Sequence, residues 1–440
     1  MLLTIIVTVY NLEKYIENCL MSILLQDNDD FEVVVVDNGS DDNSVVICEK
    51  IQKLYPQKMT FIKLDKPTFI GRAHIEARKM VTGDYFQFVD GDDKLVNGSI
   101  NRICDVIREK KPSLIVGKFV TEATIGTTSI KDADIKSENI NGRTYEEGIE
   151  YLTSLPSFHP VLWRFVVKRE YLRYFYMGNF LKINHKYWSS VSDWLAFTNV
   201  LLNVNSLWVI EEPFYVYCRR EGSTGNALSK KESRDNYYIT SILMILLTYN
   251  MDFQGYKKKF AISRFELLFS NFLIQADALK EDEVNALVEW TDEYLPAMKS
   301  VGGKESKLLQ SFLTEIEANG IEKAIQIIIK NYLDSFNVCF KAKNKNKIYV
   351  FPMGIKGRGV VALLKDRGEN VAGFIDNDEM KNGIIVDGIQ CFSRERVRER
   401  ENDTFENCVF VIATIYRELE EKLKNQLLEM GIDEENIVFV

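Results

Sequence analysis

The chain has 440 residues, 46% of them hydrophobic and 12% aromatic, which excludes a disordered polypeptide and, at roughly 150 residues per domain, leads us to expect about three domains. Lys and Arg number 55 against 64 Asp and Glu, and the net charge of -9 excludes a general nucleic-acid binder, which needs a basic face to neutralise phosphate. The seven cysteines are scattered and never form a C-x-x-C pair, so the sequence suggests neither a disulfide framework nor a zinc site and is read as that of a protein from a reducing compartment.

"MLLTIIVTVYN" lacks a basic leader region and runs directly into a strand, so no signal peptide is expected. From Thr4 the pattern predicts a strand (Thr4 to Val9), a helix (Leu12 to Leu25) and a strand (Phe31 to Asp37). A helix over Val45 to Leu54, a strand in "MTFIKL", a helix in "GRAHIEARKMVTG" and a strand in "DYFQFVD" follow. Alternating helices and nearly all-apolar strands predict a parallel sheet covered on both faces. From about Ser229 to Phe340 broad apolar stripes predict helices, and the longest apolar run, Ile239 to Tyr249, is far short of the roughly 20 residues that a membrane span requires. "KAKNKNK" (Lys341 to Lys347) reads as a linker, after which strand, glycine-rich turn, helix and strand open a second, smaller α/β unit. The expected domains are 1–228, 229–343 and 344–440.

"FQFVDGDDKLV" (Phe86 to Val96) gathers Asp90, Asp92 and Asp93 straight after a buried strand. Carboxylates this close repel one another, so the stretch is either a solvated turn or half of a cation site. Ligands of open parallel sheets bind beyond the carboxyl ends of the strands, and those ends here are "TVYN", "VDNGSDDNS" and "VDGDD". Position favours the site. Asp90 and Asp92, two apart on an extended backbone, project to one side, and Gly91 lets the backbone come close.

The stretches "TIIVTVYNLEKYIENCLMSILLQ", "FEVVVVDNGSDDNS", "TGDYFQFVDGDD", "SDWLAFTNVLL" and "YVYCRREGST" resemble, in order, the inverting nucleotide-sugar glycosyltransferases of family 2, which have the GT-A fold. The resemblance covers roughly residues 1 to 228. It implies a nucleotide-sugar donor, with Thr8, Tyr10, Asp37, Arg72, Asp90 and Arg220 on the donor nucleotide: Tyr10 flat against the base, Asp37 accepting from a ring N–H, Asp90 facing the ribose. It implies Mn²⁺ or Mg²⁺ on Asp92, with Asp93 auxiliary, and Asp193 as the general base for the acceptor hydroxyl. Taken singly, Tyr10 also reads as a buried aromatic, Asp37 as a helix cap and Asp193 as an acid at a helix N-terminus.

The chain departs from the family at Ser192, where an acid commonly stands, at His74 and Ile75, where Arg-Asn is common, and at Arg220, often a histidine. Trp163 in "VLWRFVVKREYL" reads equally as core and as a sugar platform. "YKKKFAISRF" reads as bundle core with a solvated end, or as a helix lying on an anionic membrane surface.

Gly354, Gly357 and Asp376 near the start of the last unit suggest a second nucleotide site; the glycine order, G-x-x-G-x-G, departs from the dinucleotide fingerprint, and an interaction module with an empty turn is the other reading. The unit looks like Rossmann-type domains attached to bacterial sugar-modifying enzymes. Together these features lead us to expect a cytoplasmic, metal-dependent, inverting transferase acting from a UDP-sugar on a surface polysaccharide or lipid-linked glycan, at the inner face of the membrane. The rival is a nucleotide-sugar-binding scaffold without turnover, motivated by Ser192, His74 and Ile75.

Overall fold

The structure is a computed structural model, and it describes every residue except 68–69, 123–127, 132–134, 155–160, 175–191, 219–229, 251, 277–278, 302–305, 342–346, 387, 403 and 415–416. The chain divides into two compact units, Met1–Ser229 and Lys230–Val440.

In the first unit, β1 (Leu3–Val9), β2 (Phe31–Asp37), β3 (Met59–Lys63) and β4 (Tyr85–Asp90) form a parallel sheet in the order 3-2-1-4. It continues through β8 (Phe165–Lys168), β6 (Leu114–Glu122), β9 (Leu207–Cys218) and β5 (Lys94–Leu95), with β7 (Thr128–Lys131) on β6. Every residue of β1 is buried, as are all but Glu32 of β2, which is why these strands read as nearly all-apolar runs: helices cover both faces. Among the described residues the helices are α1 (Ile16–Leu24), α2 (Ser44–Leu54), α3 (Ile70–Arg78), α4 (Ser99–Lys110), α5 (Tyr145–Ser154) and α6 (Ser192–Asn203).

Two expected helices are shorter than their apolar spacing suggests. α1 begins at Ile16 and not at Leu12, because the N–H groups of Leu12 and Glu13 donate to Ser44 Oγ (2.8 Å) and Asp42 Oδ2 (2.9 Å) across the neighbouring loop. α3 ends at Arg78 and not at Gly83: Thr82 and Gly83 are pinned to Glu32 and Thr4 on the sheet.

In the second unit, among the described residues, five helices between Lys230 and Lys341 precede a parallel sheet in the order β12-β13-β11-β10-β14-β15, in which only β12 (Ile385–Val386) runs antiparallel. Its centre is β10 (Lys347–Phe351), flanked by β11 (Val371–Ile375) and β14 (Cys408–Ile412); β13 (Ile389–Phe392) and β15 (Ile437–Phe439) lie outside them. This is the doubly wound arrangement expected for the last unit. Within this unit, helix Ile355–Asp366 packs on helix Gly255–Gln275, where a Cβ on Gly359 would lie 3.1 Å from Ile274 Cγ2. Helices and sheet share one compact body.

Among the described residues, no helix is long and apolar enough to cross a membrane.

Candidate active site

The register of the parallel strands sets Thr8 of β1 beside both Val36 of β2 and Asp90 of β4, so the three strand ends finish level. Pairing continues one step into the loops. Asn38 N–H donates to Val9 O (2.8 Å) and Gly91 N–H to Thr8 O (3.1 Å). A Cβ on Gly91 would sit 2.7 Å from Thr8 O and 2.9 Å from Leu12 Cδ1, so only glycine brings the acidic turn this close to β1.

The loops after β1 and β2 are tied to each other. Asn11 N–H donates to Ser40 Oγ (2.9 Å), Asp41 N–H to Asn11 Oδ1 (3.0 Å), and both the N–H and the side-chain amide of Asn43 to Glu13 Oε2 (3.1 and 2.8 Å). Asn11 takes a left-handed backbone (φ 53°), which asparagine tolerates. Asp37 organises the second loop from inside: it is fully buried, Oδ2 accepts from the N–H groups of Gly39 and Ser40 (3.0 Å each), and Oδ1 accepts from Ser40 Oγ (2.5 Å). Tyr10 stands out from this frame, 48% exposed.

The three aspartates of the turn differ. Asp90 and Asp92 are half-buried, while Asp93 is buried and faces β9: Tyr215 Oη donates to its Oδ2 (2.7 Å) and Cys218 N–H to its Oδ1 (2.8 Å). The negative field is felt by the groups behind it. Burial first, then the charges of Asp93, Asp92 and Asp90, hold the Cys19 thiol well above its usual range; burial, then Asp93 and Asp90, do the same to the Tyr215 hydroxyl.

Two half-buried carboxylates in such a field fit a hard divalent cation. Among the described residues no group of three or more His, Cys, Asp or Glu side chains that could hold a metal ion is found.

Arg72 is exposed and paired with Glu76 (2.6 Å). His74 turns inward against Phe88, with ring centroids 4.4 Å apart, and burial lowers its pKa to about 3. It therefore brings no positive charge to the site. Trp163 is core: it is buried, stacks on Tyr215 (4.4 Å, 12°) and Tyr217 (5.8 Å, 13°), and meets Phe119 edge-on. Asp193 is the second residue of α6, as an acid at a helix start; its side chain, with Arg219 and Arg220, lies outside the described residues.

Sequence reading missed the loop clamp and Tyr215. The clamp had a signal, since "NGSDDNS" is rich in side chains that capture backbone N–H groups. Tyr215, 125 residues from Asp90, had none.

In the second unit Asp376 is buried and engaged: Oδ2 accepts from Met353 N–H (3.0 Å) and Lys381 Nζ (2.7 Å), and Oδ1 from Asp378 N–H (2.9 Å). A Cβ on Gly357 would lie 2.1 Å from Pro352 O, so that glycine serves the tight strand-to-helix turn itself. A Cβ on Gly354 would meet nothing within 4 Å.

Residues 4–173 match the sequence model of Glycosyl transferase family 2. The chain is 25% identical over 269 residues to the poly(ribitol-phosphate) beta-N-acetylglucosaminyltransferase TarS of Staphylococcus aureus strain MW2, covering 60% of this chain and 43% of that protein. Over 98 residues it is 41% identical to the teichoic acid poly(glycerol phosphate) polymerase of Staphylococcus epidermidis, 22% of this chain and 14% of that one. The chain thus spans less than half the length of either relative. Among solved structures, S. aureus TarS 1-349 in complex with UDP-GlcNAc superposes with a TM-score of 0.54 at 20% identity, covering 76% of this chain and 92% of that one. Residues 4–173 are therefore similar to the glycosyltransferases of family 2, and the N-terminal unit has the GT-A fold. Over these matched stretches the chain resembles bacterial transferases named for teichoic acid and for poly(ribitol-phosphate).

Proposed function

We propose that the protein transfers a sugar from a UDP-sugar, with inversion and with Mn²⁺ or Mg²⁺, to a growing surface polysaccharide or a lipid-linked glycan precursor. The observation that carries this reading is the meeting of the acidic turn with the clamped loops of β1 and β2 at one sheet edge, within the stretch that matches the family. UDP is favoured as the nucleotide because the TarS fragment, which shares the fold, was solved with UDP-GlcNAc and with UDP. A surface polymer is favoured because one relative is named as a teichoic acid poly(glycerol phosphate) polymerase and the other as a poly(ribitol-phosphate) transferase. On this reading the protein works in the cytoplasm, at the membrane face where such acceptors are presented.

The exposed ring of Tyr10 lies against the base, with Thr8 beside it. Asp37, fully buried, shapes the loop beside the base by accepting from the N–H groups of Gly39 and Ser40 and from the Ser40 hydroxyl. Asp90 meets the ribose and Asp92 holds the cation. When bound, that cation offsets the charge developing on the departing diphosphate. Arg72 and Arg220 add to this. The Arg72–Glu76 pair is exposed on the arginine side, such pairs contribute about 1 kcal/mol at most, and a diphosphate displaces it easily. Asp193 takes the proton of the acceptor hydroxyl as its oxygen attacks.

The test is a mass-spectrometric panel of nucleotide sugars with the purified chain, in Mn²⁺ and in EDTA. Cleavage of a UDP-sugar that EDTA stops is the expected result. UDP binding without cleavage of any donor would point instead to a scaffold.

A further inference from the structure

The acidic turn is held from behind by a pair that the donor reading does not use. Tyr215 is fully buried, and its ring is fixed by stacking on Trp163. Its hydroxyl accepts from Asp90 N–H (3.1 Å) and donates to Asp93 Oδ2 (2.7 Å). The β4–β8 ladder stops at Gln87, so beyond that rung the tyrosine, not a strand, supplies the acceptor for Asp90 N–H. Asp93 in turn binds the end of β9 through Cys218 N–H (2.8 Å), and its own N–H donates to Asp90 O (2.9 Å). Asp93 is only 1% exposed, and each of its oxygens faces β9.

We propose that Asp93 is not a cation ligand but forms, with Tyr215, a positioning pair that sets the backbone of the Asp90–Asp92 turn for the cation and the diphosphate. The inference rests on the donor reading above. The pair acts as an outer layer: Tyr215 fixes where the Asp90 backbone lies, Asp93 fixes how the turn leaves the strand, and Asp92 receives its orientation from both. β9 is thereby coupled to the donor site, since its last residue hangs on the same carboxylate. Outer-layer partners of this kind commonly change cation affinity by roughly 10- to 100-fold when removed.

Two conservative variants separate positioning from ligation. Tyr215→Phe keeps the ring and its stacking but removes the hydroxyl. Asp93→Asn keeps an oxygen for Cys218 N–H and offers its amide N–H to the tyrosine oxygen, which has a second lone pair, while losing the charge a cation ligand needs. The measurements on the full chain are Mn²⁺ affinity at saturating UDP, by electron paramagnetic resonance, and UDP affinity in EDTA, by calorimetry. Thermal melts confirm folding of each variant.

Tyr215→Phe is expected to weaken Mn²⁺ about tenfold with UDP affinity in EDTA unchanged. Asp93→Asn is expected to stay within about threefold of the wild type, whereas Asp92→Asn loses the ion. Wild-type Mn²⁺ affinity in a folded Tyr215→Phe, or loss of Mn²⁺ by Asp93→Asn as complete as by Asp92→Asn, would overturn the positioning role while leaving the donor reading in place. A wild-type chain that binds UDP but no Mn²⁺ would overturn the cation reading and this inference with it.

Discussion

His74 gives a pH prediction whose size follows from its burial. The ring is 3% exposed, lies against Phe88, and has its pKa lowered to about 3 by burial, whereas in the unfolded chain it titrates near 6.5. The unfolded state therefore takes up the proton first as pH falls. Stability contributed by the neutral ring is complete above about pH 6.5 and is lost progressively down to about pH 3. Between pH 8 and pH 5 the difference covers about 1.5 pK units, or about 2 kcal/mol, carried by one proton. Denaturant unfolding of the N-terminal unit at the two pH values should show this loss in the wild type and not in His74→Leu. Only His74, His159 and His185 occur in the chain, so ring-carbon NMR resolves the site directly: the His74 ring should stay neutral from pH 8 to pH 5. A His74 midpoint near 6.5, or parallel pH profiles for wild type and variant, would refute the buried-neutral assignment. On the proposed reading the point bears on function, because a neutral ring would leave the charge of a diphosphate to the arginines and a cation.

Gly91→Ala places a methyl group 2.7 Å from Thr8 O, an overlap expected to cost about 1–3 kcal/mol and to displace the turn; a variant with wild-type turnover would show that the close approach is not needed. Asp193→Asn should abolish transfer and preserve UDP binding, because the base acts on the acceptor; calorimetry showing lost UDP binding would move Asp193 into the donor site. NADH fluorescence should not change on adding the full chain, since the Asp376 carboxylate is engaged by Met353, Asp378 and Lys381; tight binding would revive a dinucleotide site in the second unit.

Much of the architecture was written in local pattern. Nearly all-apolar runs at Leu3–Val9 and Phe31–Asp37 mark strands buried on both faces, and they fall within a residue of their expected places. Asp90, Gly91 and Asp92 announced themselves by charge and spacing, and their position at a strand end was legible because strand and helix alternate so regularly. The doubly wound second sheet was legible for the same reason. Helix ends were less so. α1 loses its expected first turn to Ser44 and Asp42, which are more than 25 residues away in sequence and compete for the same backbone N–H groups.

Tertiary structure alone decided the roles of residues whose partners are distant. Asp92 and Asp93 are adjacent and chemically identical, yet one stays half-exposed at the sheet edge and the other is buried under β9, because the turn after β4 aims them in different directions. Asp376 stood in the sequence only as part of a possible second nucleotide site, and the fold shows it accepting from the backbone of its own turn, at Met353 and Asp378. Trp163 could have been a platform, and the stack on Tyr215 made it core. Burial period and turn chemistry are properties of a few neighbouring residues, so sequence encodes them openly. Which buried oxygen meets a hydroxyl 122 residues away depends on strand register and helix packing across the whole sheet, and only the folded chain specifies that.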